Sequence, residues 1–188
     1  MNIVGDNIKL RPMRKADMEL RVKWFNDPEV NGTLFLDEQL DLEKTLQWFQ
    51  RTVTDDARRD FVIETTDGKP VGFMGLVGIN HRHGTAECYG IVGEKQYWGK
   101  GIGTGAHSLL IQWAFDSLGL NKIWAAVNMK NTAILKVTEK LGFRVEGTLR
   151  QEKYHQGKRV DVFRIAVLRD EFKPTSAYKE ISQSNKQL

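Results

Sequence analysis

Four glycines recur at alternate positions, Gly99, Gly101, Gly103 and Gly105, in the stretch "YWGKGIGTGAHSLL". Lys100 stands between the first two, and no acidic residue occurs from Gln96 to Gln112. A helical pattern follows at once. The start of a helix leaves about four backbone N–H groups without intrahelical partners, and together with the helix dipole they form an anion site. Glycines let an anion approach those amides with no Cβ in the way, and they let the loop curl around it. Lys100 adds positive charge where a carboxylate would repel the ligand. The chemistry offered is phosphate binding. Two nucleotide loops fit poorly. A Walker loop would need Gly93 and Gly99 one residue closer and a Ser or Thr after Lys100, where Gly101 stands. A dinucleotide fingerprint forced onto Gly101, Gly103 and Ala106 lacks the acidic residue at the end of the next strand, which closes on Asn128. A glycine-rich turn that only lets a helix pack closely is the plainer alternative.

Other reactive residue types are sparse. His81 and His83 flank Arg82 in a turn, and His107 and His155 stand alone, so no metal site is expected. Cys88 is the single cysteine, which rules out an internal disulfide and makes a reducing cytoplasm the expectation. The acidic stretch "LDEQLDLE", residues 36–43, offers Asp41 as a helix cap and otherwise solvated charge, or else an acidic lip for a cationic acceptor. The chain has 188 residues, 40% hydrophobic and 28% charged, the size and composition of one globular domain. Its net charge of +4 is spread among interleaved acids and bases, which gives no nucleic-acid signature. No apolar run approaches the roughly 20 residues that span a bilayer. The N-terminus "MNIVGDNIKLRP" has no signal-peptide pattern.

The elements that would position the loop can be read along the chain. "NIKLRPM" reads as a strand stopped by Pro12, "KADMELRVKWFND" and "DLEKTLQWFQRTV" as helices, and "DFVIETTDGKPVGFMGLVGIN" as a hairpin turning at Asp67-Gly68. Strand 86–92, helix 101–117 and strand 122–127 form a βαβ crossover, so those two strands should be parallel. The helix carries its apolar stripe on Ala106, Leu109, Leu110, Trp113 and Ala114. "KIWAAV" has the continuous apolar character of a strand buried on both faces. Side chains alternate along a strand, so Cys88 should pack on the face opposite Glu87. "NTAILKVTEKLGF" is a further helix, and a final hairpin turns at Gln156-Gly157. The expected fold is α/β: a single domain over 1–172 with a mixed, mostly antiparallel sheet of about seven strands and about four helices. A polar tail, 173–188, is expected to fray.

At the glycine loop the sequence resembles the GNAT superfamily of acyl-CoA-dependent N-acetyltransferases. Their signature, Gln/Arg-x-x-Gly-x-Gly/Ala, is occupied here by Trp98-x-x-Gly101-x-Gly103. Trp in the first position is familiar from the branch that acetylates ribosomal-protein N-termini. Asn131 and the helix end "EKLGF" follow at the family's distance. "WFNDPEV", "INHRHGTAE" and "GTLRQEKYHQGKRVDVFRIAVLRDEF" are similar to the same branch and to spermidine and amino-sugar N-acetyltransferases. The resemblance covers about residues 8–172.

That resemblance implies a sheet splayed between its fourth and fifth strands, with acetyl-CoA as cosubstrate. It implies that Gly101, Ile102, Gly103 and Thr104, beside Trp98, Gly99 and Lys100, hold the pyrophosphate. Ile91 and Val92 would pair with the pantetheine arm, Val92 would donate to the oxyanion, and Asn128 and Asn131 would complete the cofactor site. Glu87 stands where the branch carries a carboxylate, a candidate base. The family's tyrosine acid is replaced by Thr138, with Tyr154 as a candidate substitute. The implied activity is acetyl transfer to a primary amine on an amino sugar, a protein N-terminus or a polyamine, in a cytoplasmic chain that could be a homodimer. A non-catalytic acyl-CoA-binding module is the alternative, motivated by Thr138, and a nucleotide-binding protein is a third.

Overall fold

The computed structural model describes residues 1–32, 34–175 and 178–181. The elements are β1 (Asn2–Val4), β2 (Ile8–Pro12), α1 (Met18–Phe25), α2 (Pro28–Asn31), α3 (Leu42–Thr52), β3 (Arg59–Thr65), β4 (Pro70–Asn80), β5 (Thr85–Val92), α4 (Ile102–Asp116), β6 (Lys122–Asn128), α5 (Thr132–Lys140), β7 (Arg144–His155), β8 (Lys158–Leu168) and β9 (Lys179–Ile181). The strands form one sheet in the order β7-β8-β6-β5-β4-β3-β2-β1-β9. Every neighbouring pair is antiparallel except β5 and β6, which are parallel as the crossover requires.

The seven expected strands are present, and two three-residue strands at one end of the sheet bring the number among the described residues to nine. β1 and β9 are too short to show a period of two. β9 pairs with β1, with Ile3 opposite Glu180. The segment from Lys173, expected to fray, is therefore partly docked: the Lys173 amide donates to Leu141 O at 3.1 Å and the Thr175 amide to Ser108 Oγ at 2.9 Å. Residues 176–177 and 182–188 of that segment lie outside the described residues. The fifth α-helix, α2, is a four-residue turn started by Asp27, whose side chain accepts from the Glu29 amide at 2.9 Å ahead of Pro28 at the first helical position.

Strand alternation divides the core between two faces. Phe61, Ile63, Met74, Leu76 and Cys88 point to the face covered by α4, whose stripe Ala106, Leu109, Leu110, Trp113 and Ala114 is wholly buried. Phe61 and Trp113 meet edge to face at 5.4 Å. Val62 and Phe73 point to the other face, against Trp24, Phe25 and Met18 of α1. Glu87 shares that second face, so the sheet separates the glycine helix from the acidic side chain. β6 differs from expectation. Trp124, Ala125 and Ala126 are only partly buried, because the strand beyond Trp124 borders an opening in the sheet.

Candidate active site

The parallel pairing of β5 with β6 stops at Glu87 opposite Trp124. β5 runs on to Val92, still registered on β4 through Gly72, and β6 runs on to Asn128, still registered on β8 through Val162. The two halves of the sheet therefore diverge with an unpaired inner edge on each side. A cavity of roughly 230 Å³ occupies the divergence. The Gly93 amide donates to Val71 O at 2.9 Å, toward β4. Alternation then turns the Ile91 backbone to Phe73 of β4 and the Val92 amide into the opening. Of the two backbone positions expected to pair with an entering arm, Val92 presents its amide there and Ile91 does not.

The chain reaches its glycine loop just beyond β5. Gly99 and Gly101 have φ of 73° and 81°, a left-handed conformation in which other residues are strained. Gly101 caps α4 without a side-chain hydrogen bond, and no acidic residue lies in the first turn. The first helical bond runs from the Gly105 amide to Gly101 O at 2.9 Å, so the amides of Gly101, Ile102, Gly103 and Thr104 precede the ladder. A further cavity of roughly 430 Å³ opens at this helix start, lined by Lys100, Ile102, Thr104 and, from α5, Lys140, with Asp6 of the β1–β2 turn also on its wall. Trp98 Nε1 donates to Val92 O at 2.7 Å, which ties the loop to the end of β5. The acid nearest in sequence, Glu94, is drawn away toward α1 by Lys23 at 2.9 Å and Trp24 Nε1 at 3.0 Å. Free amides, two nearby lysines and no Cβ at Gly101 are the features a diphosphate needs, and the unpaired strand edges suit an amide-bearing arm.

The expected side chains fall into two groups. Glu87 lines the splay cavity and is half-buried; burial pushes its carboxyl above the usual range, opposed by Lys153, Arg164 and the Ala126 backbone. Asn128 and Asn131 line the same cavity. Asn128 Oδ1 accepts from the Lys130 amide at 3.0 Å and Asn131 Oδ1 from the Ile134 amide at 3.1 Å, so each also shapes the turn into α5. Cys88 packs on the opposite face as expected, 4% exposed, its thiol pushed up to about 12 by burial and then by Glu87. Tyr154 is not brought to the cavity: it is 60% exposed, and its neighbour Lys153 faces inward in its place. The pairing of β7 with β8 shifts between Leu149 and Lys153, where Gln151 takes φ 54°, and this sets which residue of the pair turns in. Thr138 is buried, and its hydroxyl donates back to Ile134 O at 2.9 Å and Leu135 O at 3.1 Å, so it is spent on its own helix.

Three cavity-side residues were not singled out by their sequence. Lys153 lines the cavity beside Glu87, and Arg164 lies over Trp124 with its guanidinium 3.3 Å from the ring centroid. His107, set aside as isolated, is the third; its one sequence signal is its place four residues after Gly103, on the same side of the helix. The acidic stretch is largely committed to structure. Asp41 caps α3 through the Lys44 amide at 3.0 Å. Asp37 accepts from the Gln156 amide at 3.0 Å and lies 3.1 Å from His155 Nδ1, which ties the loop carrying Leu34 and Phe35 to the last hairpin.

This geometry can be set beside known proteins. Residues 7–144 match the Acetyltransferase (GNAT) domain. The chain belongs to this family. Among GNAT relatives, the spermidine N(1)-acetyltransferase of Escherichia coli strain K12 is 30% identical over 166 residues, covering 88% of each chain. An uncharacterised N-acetyltransferase, p20, of Bacillus licheniformis is 29% identical over 89% of this chain and 96% of its own. Among GNAT structures, that of the Vibrio cholerae spermidine N-acetyltransferase in complex with CoA and spermine has a TM-score of 0.81 at 25% identity, covering 87% of this chain and 96% of the other. The GNAT resemblance read from the sequence is thereby established, and so is the activity it carries: the chain is an acetyl-CoA-dependent N-acetyltransferase.

Proposed function

We propose that acetyl transfer takes place at the mouth of the splay, with Glu87 receiving the proton of the attacking amine. The observation that carries this is the position of Glu87 at the last paired residue of β5, partly buried, in the cavity that the divergence opens. Acetyl-CoA supplies an activated acetyl thioester. The amides of Gly101 to Thr104, flanked by Gly99 and Lys100, hold its diphosphate, and the Val92 amide is presented to an oxygen in the gap. An alkylamine arrives mostly as ammonium, since its pKa is about 10, and must lose a proton before it attacks. A carboxylate with a raised pKa is suited to take it near neutral pH. No side-chain acid is needed for the departing thiolate, because a thiol of pKa about 8.5 is a tolerable leaving group. Tyr154 has no part in this scheme.

Polyamine acetylation is the acceptor reading that the relatives support: two are spermidine acetyltransferases, of E. coli and V. cholerae, aligned over about nine-tenths of this chain. A second reading is favoured by Lys153 in the cavity and Arg164 beside it, since fixed cations there suit an amine that also carries an anion, such as a nucleotide-linked amino sugar. A protein N-terminus would need a cleft open to a peptide. The setting we propose is the cytoplasm. The test is thiol release from acetyl-CoA with a panel of spermidine, a nucleotide-linked amino sugar and a peptide. Release that depends on one of these amines is expected. Tight CoA binding with no acceptor-dependent release from any amine would favour a non-catalytic module.

A further inference from the structure

His107 is 6% exposed, yet its ring forms part of the wall of the cavity between β5 and β6. Nδ1 lies 2.8 Å from Gly103 O. A carbonyl oxygen can only accept, so Nδ1 carries the hydrogen. Burial lowers the pKa of the ring, which is then neutral, and Nε2 is left as a lone-pair acceptor. The Nε2 edge of the ring lies against Gly90: a Cβ at that position would meet Cε1 at 3.1 Å and Nε2 at 3.3 Å. Gly90 belongs to the stretch of β5 that has no β6 partner. Among the described residues the one hydrogen bond of the ring is that to Gly103.

A neutral ring with an acceptor at Nε2 can neither protonate a thiolate nor donate to an oxyanion. What it can do is accept an N–H from whatever enters the gap. The acceptor amine approaches Glu87 on the opposite face of β5, whereas His107 reaches the opening from α4. The coenzyme arm carries amide N–H groups into that opening. Resting on the coenzyme placement proposed above, we infer that His107 is a positioning residue whose Nε2 accepts a hydrogen bond from an amide of the pantetheine arm. Through Nδ1 and Gly103 the same ring is fixed to the loop that holds the diphosphate. One side chain thus sets how deep the arm lies relative to the anion site, and so where the thioester stops with respect to Glu87.

The decisive experiment is nitrogen NMR of histidine-labelled protein during titration with CoA and, separately, with 3′-phospho-ADP, which fills the anion loop but has no arm. The Nε2 resonance of His107 should be of the unprotonated type in the free protein. It should move in the direction of hydrogen-bond acceptance with CoA and stay in place with 3′-phospho-ADP. A protonated Nε2, equal shifts with both ligands, or CoA binding with no shift would each overturn the inference. If neither ligand binds at all, the coenzyme placement falls with it. Binding measurements give a second arm. His107→Phe should weaken CoA roughly two- to tenfold, as expected for one lost hydrogen bond, and leave 3′-phospho-ADP unchanged. His107→Gln, whose terminal oxygen can replace Nε2, should restore most of the loss. Equal weakening of both ligands by either variant, or no recovery with Gln, would reduce His107 to a packing residue.

Discussion

Replacement of Glu87 by Gln keeps the shape of the side chain and removes its capacity to take a proton. A positioned base contributes about 10²- to 10⁴-fold to rate. The cavity beside Glu87 has room for water, which can carry the proton in its place, so the loss belongs at the low end. About 10²-fold in kcat/KM at neutral pH is expected, or about 2.7 kcal/mol at 1.36 kcal/mol per decade. The pH profile gives an independent check. Burial raises the carboxyl of Glu87 above its ordinary pKa, so wild-type activity should fall as pH drops through that raised value, and the Gln variant should lack this limb. Stability should move the other way. The folded state binds the Glu87 proton more tightly than the unfolded chain does, so this group favours folding more as pH falls through its raised pKa and disfavours it above. At neutral pH the uncharged Gln should therefore not lower Tm. The assay is thiol release across pH, with thermal unfolding in parallel. Unchanged turnover at neutral pH, or an acid limb that survives in Glu87→Gln, would refute the assignment.

Three further perturbations address other parts of the account. Gly101→Ala places a Cβ at a backbone φ of 81° and should cost about 1–2 kcal/mol of stability and weaken CoA binding, measured by thermal unfolding and titration. Arg11→Met strands Asp17, held by two bonds of 2.7 Å, leaves buried Glu64 with Lys9 as its remaining cation, and should destabilise by about 3–5 kcal/mol in chemical denaturation. Burial alone would raise the Glu64 pKa, but bonds from Lys9 and Arg11 outweigh it and lower it, so the stabilisation from Glu64 is present above its unfolded pKa and is lost as pH falls through the depressed folded value. Acid unfolding of the variant should lose that dependence in part. Lys153→Glu should shift the acceptor preference toward polyamines over anion-bearing amines by roughly tenfold, about 1.4 kcal/mol, in paired kcat/KM measurements; an unchanged ratio would remove Lys153 from acceptor selection.

Strong periodicity and turn chemistry made most of the framework legible in advance. The stripe from Ala106 to Ala114, the Asp67-Gly68 turn and the parallel β5–β6 pair all follow from local rules, because each residue involved obeys one spacing throughout its element. Three-residue strands such as β1 and β9 are too short to carry such a signal. At the site, the glycines around Gly101, beside a lysine and with no acid from Gln96 to Gln112, fitted an anion loop and a close-packing turn alike, and the GNAT resemblance chose between the two. Whether Tyr154 or Lys153 turns inward was not legible, because the shift in register before Lys153 depends on how β7 meets β8, not on either strand alone. His107 gave only its spacing from Gly103, because its tautomer is set by Gly103 and its contact by Gly90, and only the folded chain brings the three together.

Calorimetric titration of the pure, folded protein with CoA tests the central claim most directly, since the proposed placement rests the CoA diphosphate on the α4 amides and its arm in the β5–β6 splay. Saturable heat with CoA, much reduced in Gly101→Ala, is the result expected. Absence of heat with both CoA and acetyl-CoA at high concentration would contradict it.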